Sequence, residues 1–446
     1  MQSPTPVTVV TSEQLDLVAP GNIIQSFKTL PQFLGNSDPT QNNGIGTDAG
    51  QSVLDMRDLG DNRTLVLMDG RRMVPSTYNG TIDSNVMTQS LLKRTEVVTG
   101  GASAAYGTDA VAGVVNFILD TDYTGFKARG QGGITGYGDG ANKEGEITFG
   151  TKIGDRAHLV VSVDYYNNNP IESVRPWMQS WGAVNDPNAA GNNTYLVEPH
   201  VGSSIYTPGG LINAPGTPLN NLQFLPDGTA VPFKLGFGTQ TGVGGMSGGD
   251  GYDFRKDGSL NGGLESGVTR WNAFSHLTVN VTDNVDVWGE ALAGYNKVLS
   301  RGFPSVMFTA GAYQATIYSG NPYLPASVQQ IMTQNNIASF GLSRLSTPAD
   351  ITVDTLEQTN SMVEFAGGVK ATLPGDWRLN SYFEHGRNEN DLSDHNYPRT
   401  DRLFLAMDAV TDPATGATTC RVNLMPPGYG CVPIDLLGAG RASPQA

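Results

Sequence analysis

From Gly125 onward, apolar and polar residues alternate with a period of two over stretches of about ten residues, the signature of half-buried strands. In residues 157–165 one parity holds Ala157, Leu159, Val161, Val163 and Tyr165, and the other includes His158, Ser162 and Asp164. In residues 271–281 the odd set is Trp271, Ala273, Ser275, Leu277, Val279 and Val281, against Asn272, Phe274, His276, Thr278 and Asn280. Residues 285–295 put Asp286 and Glu290 on one face and Val285, Val287, Ala291 and Ala293 on the other. Residues 145–153, 361–373 and 377–383 behave alike, and residues 126–134 more weakly. Each stretch is about as long as a tilted strand needs to cross a bilayer. The connections alternate as well. Short turns lie at Gly154-Asp155, at Thr282-Asp283-Asn284 and at Pro374-Gly375-Asp376. A modest turn at residues 136–142 and long segments, roughly residues 167–267 and 300–359, lie between them. A transmembrane barrel keeps that short–long parity, with short periplasmic turns and long external loops; a soluble sandwich or propeller has no reason to.

Upstream the periods are mixed. Residues 7–10 read as a short strand and residues 11–14 as a helix start. Asn22 is placed to cap a helix with Ile23, Phe27, Leu30 and Leu34 on one face, which Pro31 kinks or ends. After a Gly/Asn-rich loop at residues 35–50, residues 52–59 and 64–68 read as strands, with a hairpin-type turn at Asp69-Gly70. Residues 91–120 read as strand, glycine turn, helical turn and strand. This order predicts an α+β domain of about 120 residues. Its expected core is Ile23, Phe27, Leu65, Leu67, Val97, Val115 and Ile118.

Within residues 91–120, Arg94, Glu96, Val97, Gly100, Ser103, Tyr106-Gly107, Ala110, Gly113-Val114 and Asn116 stand at fixed spacing. This pattern resembles the signature of the plug domain of TonB-dependent outer-membrane receptors. Residues 22–34 and 54–73, the latter carrying Asp69-Gly70, are similar to two further plug segments. The resemblance implies a small α+β plug domain at residues 1–122. Residues 123–446 would then be a partial antiparallel transmembrane β-barrel, about seven strands of the 22 such plugged transporters have. It implies a receptor of the Gram-negative outer membrane that takes up a scarce external ligand (siderophore-iron, a vitamin or a carbohydrate) with energy coupled through TonB. Its partners would be TonB, outer-membrane lipid and a small-molecule or oligosaccharide ligand, with no enzyme activity and no cofactor. The alternative is a non-transporting surface receptor or adhesin on the same scaffold. In this family plug arginines are thought to pair with barrel glutamates as an ionic lock, and Arg57 matches one such position. The family's following glycine is Asp58 here, and an arginine often found before Gly100 is Thr99. Neither an export signal nor a TonB box is visible, and the sequence is expected to be a piece of a longer receptor.

Composition narrows the alternatives. A net charge of -15 argues against a nucleic-acid partner. With 56 glycines, 26 prolines and 15% charged residues, the chain suits strands and turns. It contains no run of about eighteen apolar residues, which excludes a membrane-spanning helix but not a barrel. Cys420 and Cys431, in a Pro/Gly-rich stretch, read as a loop disulfide in an oxidising compartment, with two independent thiols as the alternative. No histidine lies near them at zinc-ligand spacing. Residues 253–258 have a calcium-loop flavour, but Arg255 occupies a ligand position. No P-loop, dinucleotide fingerprint or metalloprotease helix appears. The long loops carry Trp177, Trp181, Tyr195, Tyr206 and Tyr252, aromatics that read first as loop packing and second as surfaces for stacking on a sugar or an aromatic chelator.

Overall fold

The computed structural model describes residues 7–18, 23–33, 51–77, 79–100, 102–172, 175, 181–188, 194–238, 245–252, 264–301, 306–307, 315–346, 350–351, 354–375, 377–426 and 428–442. Asn22, Trp177 and the stretch 253–258 lie outside them. The chain forms two compact units. The first comprises Met1–Ile171, Leu264–Ser300 and Leu356–Ser393; the second comprises Glu172–Gly263, Arg301–Thr355 and Asp394–Ala446.

The N-terminal elements of the first unit are β1 (Val7–Thr11), α1 (Ser12–Val18), α2 (Ile23–Phe27), β2 (Thr64–Met68) and β3 (Arg71–Arg72), followed by β4 (Leu92–Val98), α3 (Ser103–Tyr106) and β5 (Gly113–Leu119). The strands form one mixed sheet in the order β1-β4-β5-β2-β3, with β2 and β5 parallel. Ile23, Phe27, Val97 and Val115 join one buried cluster with Phe33, Phe117 and Met56, while Leu65 and Leu67 pack in a second with Val114. Ile118, expected in the core, is only half-buried.

Residues 52–59 do not form the expected strand. Gln51, Ser52, Val53, Leu54, Asp55 and Met56 are all buried, so no face alternates. Arg57 and Asp58 then take positive φ of 62° and 54°, which reverses the chain. The buried pass is pinned by side chains instead of a ladder: Ser52 N donates to Asp83 Oδ1 at 2.9 Å and Met56 N to Thr64 Oγ1 at 2.9 Å.

The remainder of this unit is one antiparallel meander: β6 (Gly125–Gly133), β7 (Asn142–Ile153), β8 (Ala157–Asn168), β9 (Gly267–Thr282), β10 (Val285–Arg301), β11 (Thr355–Leu373) and β12 (Trp377–His395). All seven alternating stretches are strands, and six of them extend well beyond the expected bounds. The sheet runs in chain order from β6 to β12 and does not close. Its faces are inverted relative to a soluble sheet. Ile147, Phe149, Val163, Trp271, Val363 and Phe365 are exposed, while Thr148, Ser162, Asp164, Asn272, Glu290, Asn360 and Glu364 are buried. Tyr165, Trp271 and Tyr295 stand in register across β8, β9 and β10 on the apolar face, with the rings of Trp271 and Tyr295 stacked at 6.1 Å.

The segments read as long loops are folded. In the second unit Ile212, Leu219, Phe224, Ile317, Met332, Phe340, Leu342 and Met407 form a core of their own, with a helix at Ala326–Gln334. Arg344 is fully buried there and paired with Asp350 at 2.5 Å. Cys420 and Cys431 form the expected disulfide, their Cα atoms 5.9 Å apart. Closing a loop of this length contributes roughly 2–3 kcal/mol in the chain-entropy picture.

Candidate plug–strand lock

The site is built from the Asp69-Gly70 turn that ends β2. Both residues have positive φ, 50° and 77°, the geometry of a tight hairpin turn that suits Gly and Asp. Two side chains hold it against β5: Asp69 Oδ1 accepts from Leu119 N at 3.0 Å, and Gly70 N donates to Asn116 Oδ1 at 2.9 Å. The turn thereby fixes where the two following arginines go. Arg72 stays at the surface, pairing with Asp109 at 2.5 Å and donating to Tyr106 O at 2.8 Å. Arg71 turns inward and is buried.

Arg71 pairs with Glu290 on β10 and lies 3.6 Å from Glu384 on β12. Its guanidinium sits over the Trp288 ring at 4.9 Å and the Tyr382 ring at 6.0 Å, an arrangement favourable to a desolvated cation. Glu290 is also bonded to His276 Nδ1 at 3.1 Å, and the imidazole stacks on Trp288. One residue pair further on, Val74 N donates to Glu364 Oε2 on β11 at 3.1 Å. Three strand carboxylates thus meet one arginine and one backbone amide of the N-terminal domain. Burial opposes the charge of Arg71, but Glu290, Glu384 and Asp69 outweigh it and raise its pKa, so the guanidinium stays protonated.

Of the residues singled out by sequence, most shape this frame. Gly113 is crowded: a Cβ there would lie 2.4 Å from Val98 O and 2.5 Å from Met56 Sδ. Gly107 takes φ 93° between α3, which Ser103 opens and Tyr106 ends, and the next turn. Gly100 has φ 92°. Arg94 pairs locally with Glu96 at 2.7 Å. Arg57 is exposed, and its backbone N–H donates to Gln32 O at 2.8 Å. Among the described residues it makes no ion pair, and the arginine that meets strand glutamates is Arg71. Sequence reasoning passed over Arg71 although it directly follows the Asp69-Gly70 turn. Glu290 was legible as a polar-face residue of its strand, but not as a partner.

Residues 1–114 match the family model described as the TonB-dependent receptor plug domain. The chain carries the plug domain of the TonB-dependent receptors. Similar solved structures include a point mutant of the ferric enterobactin receptor PfeA of Pseudomonas aeruginosa bound to enterobactin. It is 14% identical with a TM-score of 0.43, over 87% of this chain and 42% of that one. The copper transporter OprC is 11% identical with a TM-score of 0.41, over 96% and 50%. The siderophore receptor PiuA of Acinetobacter baumannii is 12% identical with a TM-score of 0.37, over 94% and 50%. The chain spans about half the length of the structures it matches. The plug is followed by an antiparallel sheet of seven strands that does not close.

The turn makes one pH-dependent prediction. Burial, with Glu290 adding to it against the Leu119 N–H bond, raises the Asp69 pKa from 3.8 to about 6. An acid whose folded pKa is raised binds more protons folded than unfolded across that window. Its contribution is therefore favourable below about pH 4 and is lost as pH rises towards 6. In Asp69→Asn this slope should disappear, a difference of roughly 2–3 kcal/mol across the window. Denaturant midpoints of unfolding, measured from pH 4 to 7 for both proteins, check it; parallel curves would refute it.

Proposed function

We propose that the chain is the plug and first strands of an outer-membrane receptor that takes up a scarce external ligand, with energy coupled through TonB. One observation supports this reading above the others. The plug sits on the buried polar face of a sheet whose opposite face is exposed and apolar, as a membrane barrel around a gate requires. A gate of this kind needs a contact that holds at rest and yields under load, and the Arg71–Glu290–Glu384 group suits that role in place of Arg57. The ligand would be a siderophore-iron complex, another metal chelate, a vitamin or a carbohydrate. The similar structures carry enterobactin or bear the names of copper and siderophore receptors.

The test is accumulation of labelled ferric siderophores, copper, vitamin and oligosaccharides in cells with and without the gene, each with and without TonB. Uptake that needs both gene and TonB is the expected result. Surface binding that is indifferent to TonB, without accumulation, would replace transport by a surface receptor or adhesin.

A further inference from the structure

Two of the contacts between the plug and the strands have opposite chemistry. Around Arg71 the contacts are ionic and made by long side chains, with the Glu384 side chain 17% exposed. Residues 83–90 are held differently. The Asp83 carboxylate is fully buried and accepts from Ser52 N at 2.9 Å, Asn85 N at 3.0 Å, Asn360 Nδ2 on β11 at 2.9 Å and Asn296 Nδ2 on β10 at 3.3 Å. All four donors are neutral amides, so the site presents N–H groups to an anion and excludes a metal. On β9, Asn272 Nδ2 reaches the backbone carbonyls of Asn85 and Met87, each at 3.1 Å. Val86 lies flush against Gly294 of β10, where an added Cβ would be 2.6 Å from the Val86 Cβ and carbonyl oxygen. Ser90 bonds to Ser162 on β8, which bonds in turn to Thr148 on β7 at 3.0 Å.

We propose that residues 83–90 are the fixed anchor of the plug, retained on the strand wall while the Arg71 zone opens. Arginine and glutamate side chains are long enough to follow a shift of an ångström or two, and water entering between them restores their hydration. The clasp lacks that compliance. Asparagine and serine side chains are short, and Gly294 leaves Val86 no slack. The same shift leaves a buried carboxylate short of two donors and strips the amide from two carbonyls. The charged zone yields by degrees; the clasp holds or fails as a whole. The sequence chemistry matches this division, with Asp83, Asn272, Asn296 and Asn360 in one zone and Arg71, Glu290, Glu364 and Glu384 in the other.

The inference rests on the uptake reading only in taking the plug to rearrange, and hydrogen exchange tests it without transport. On the native protein in detergent micelles, amides of residues 83–90 should exchange at least about tenfold more slowly than those of residues 71–76. Asn360→Ala should erase that difference, and Glu290→Gln should leave residues 83–90 unchanged while loosening residues 71–76. Should Asn360→Ala fail to fold, Asn296→Ala, which removes the longer bond, gives the same comparison with a smaller shift. Equal or faster exchange in residues 83–90 of the unaltered protein overturns the anchor. So does loss of their protection in Glu290→Gln. A protein that shows the expected exchange but no TonB-dependent uptake would refute the transport reading and leave the anchor standing.

Discussion

Replacing Arg71 by methionine is expected to cost about 3–5 kcal/mol of plug docking. The methionine keeps an unbranched apolar chain, and the guanidinium that sits over the Trp288 ring is what the change removes. What remains is Glu290, with its side chain 4% exposed, and Glu384, both deprived of their cation. Removing one partner of a buried pair is severe because the other stays desolvated and unpaired. The added change Glu290→Gln should therefore recover part of the loss, and the double-mutant cycle should show strong coupling. Arg72→Met is the internal control. Its pair with Asp109 is half exposed on both sides, so the change should cost less than about 1 kcal/mol. Arg57→Met should stay within about 0.5 kcal/mol, since the side chain is at the surface. Protease accessibility of the plug over a denaturant series provides the measurement. An Arg71→Met midpoint indistinguishable from that of Arg72→Met would remove Arg71 from the lock.

The contrast between Arg57, Arg71 and Arg72 marks where sequence reading stops. Strand periodicity is a property of each residue and its second neighbour, so all seven strands of the long sheet were legible from alternation alone. Even the inverted faces were implied, since Asn272, His276 and Glu290 fell on the polar parity. A lock depends on something else, namely which of two adjacent arginines a turn sends inward. That is decided by Asn116 and Leu119 on a strand some fifty residues away, bonding to Gly70 and Asp69. Residues 52–59 failed for a related reason. Every residue from Gln51 to Met56 is buried, so neither face of a strand is offered to solvent, and Asp58 takes a positive φ that a glycine would make cheap. The folded second unit was hidden because its strands are mostly three to five residues long, too short for a period to register. Asp83 gave no signal at all. Its partners Asn296 and Asn360 come from strands more than two hundred residues later.

The chain expressed by itself, with an export signal added, is expected not to form a pore. Its long sheet ends at β6 on one side and at β12 on the other, and among the described residues neither edge has a further partner. In the hydrocarbon layer every unpaired backbone N–H and C=O costs several kcal/mol, because no water replaces the missing bond. Two open edges present many such groups, and the whole stability of a domain is only about 5–15 kcal/mol. The last strand is exposed along almost its full length, with Trp377, Phe383 and Leu392 uncovered, which makes its edge a template for pairing. The first is glycine-rich, with Gly125, Gly130, Gly132 and Gly133 offering no side chain to block an approaching strand. Edge-to-edge pairing between copies satisfies both, so the expected products are sheet-rich aggregates or multi-copy assemblies. Heat-modifiable migration, single-channel conductance and cross-linked mass distinguish the outcomes. A monomeric, heat-modifiable, inserted species made from this chain alone would show that the sheet can satisfy its edges without further strands.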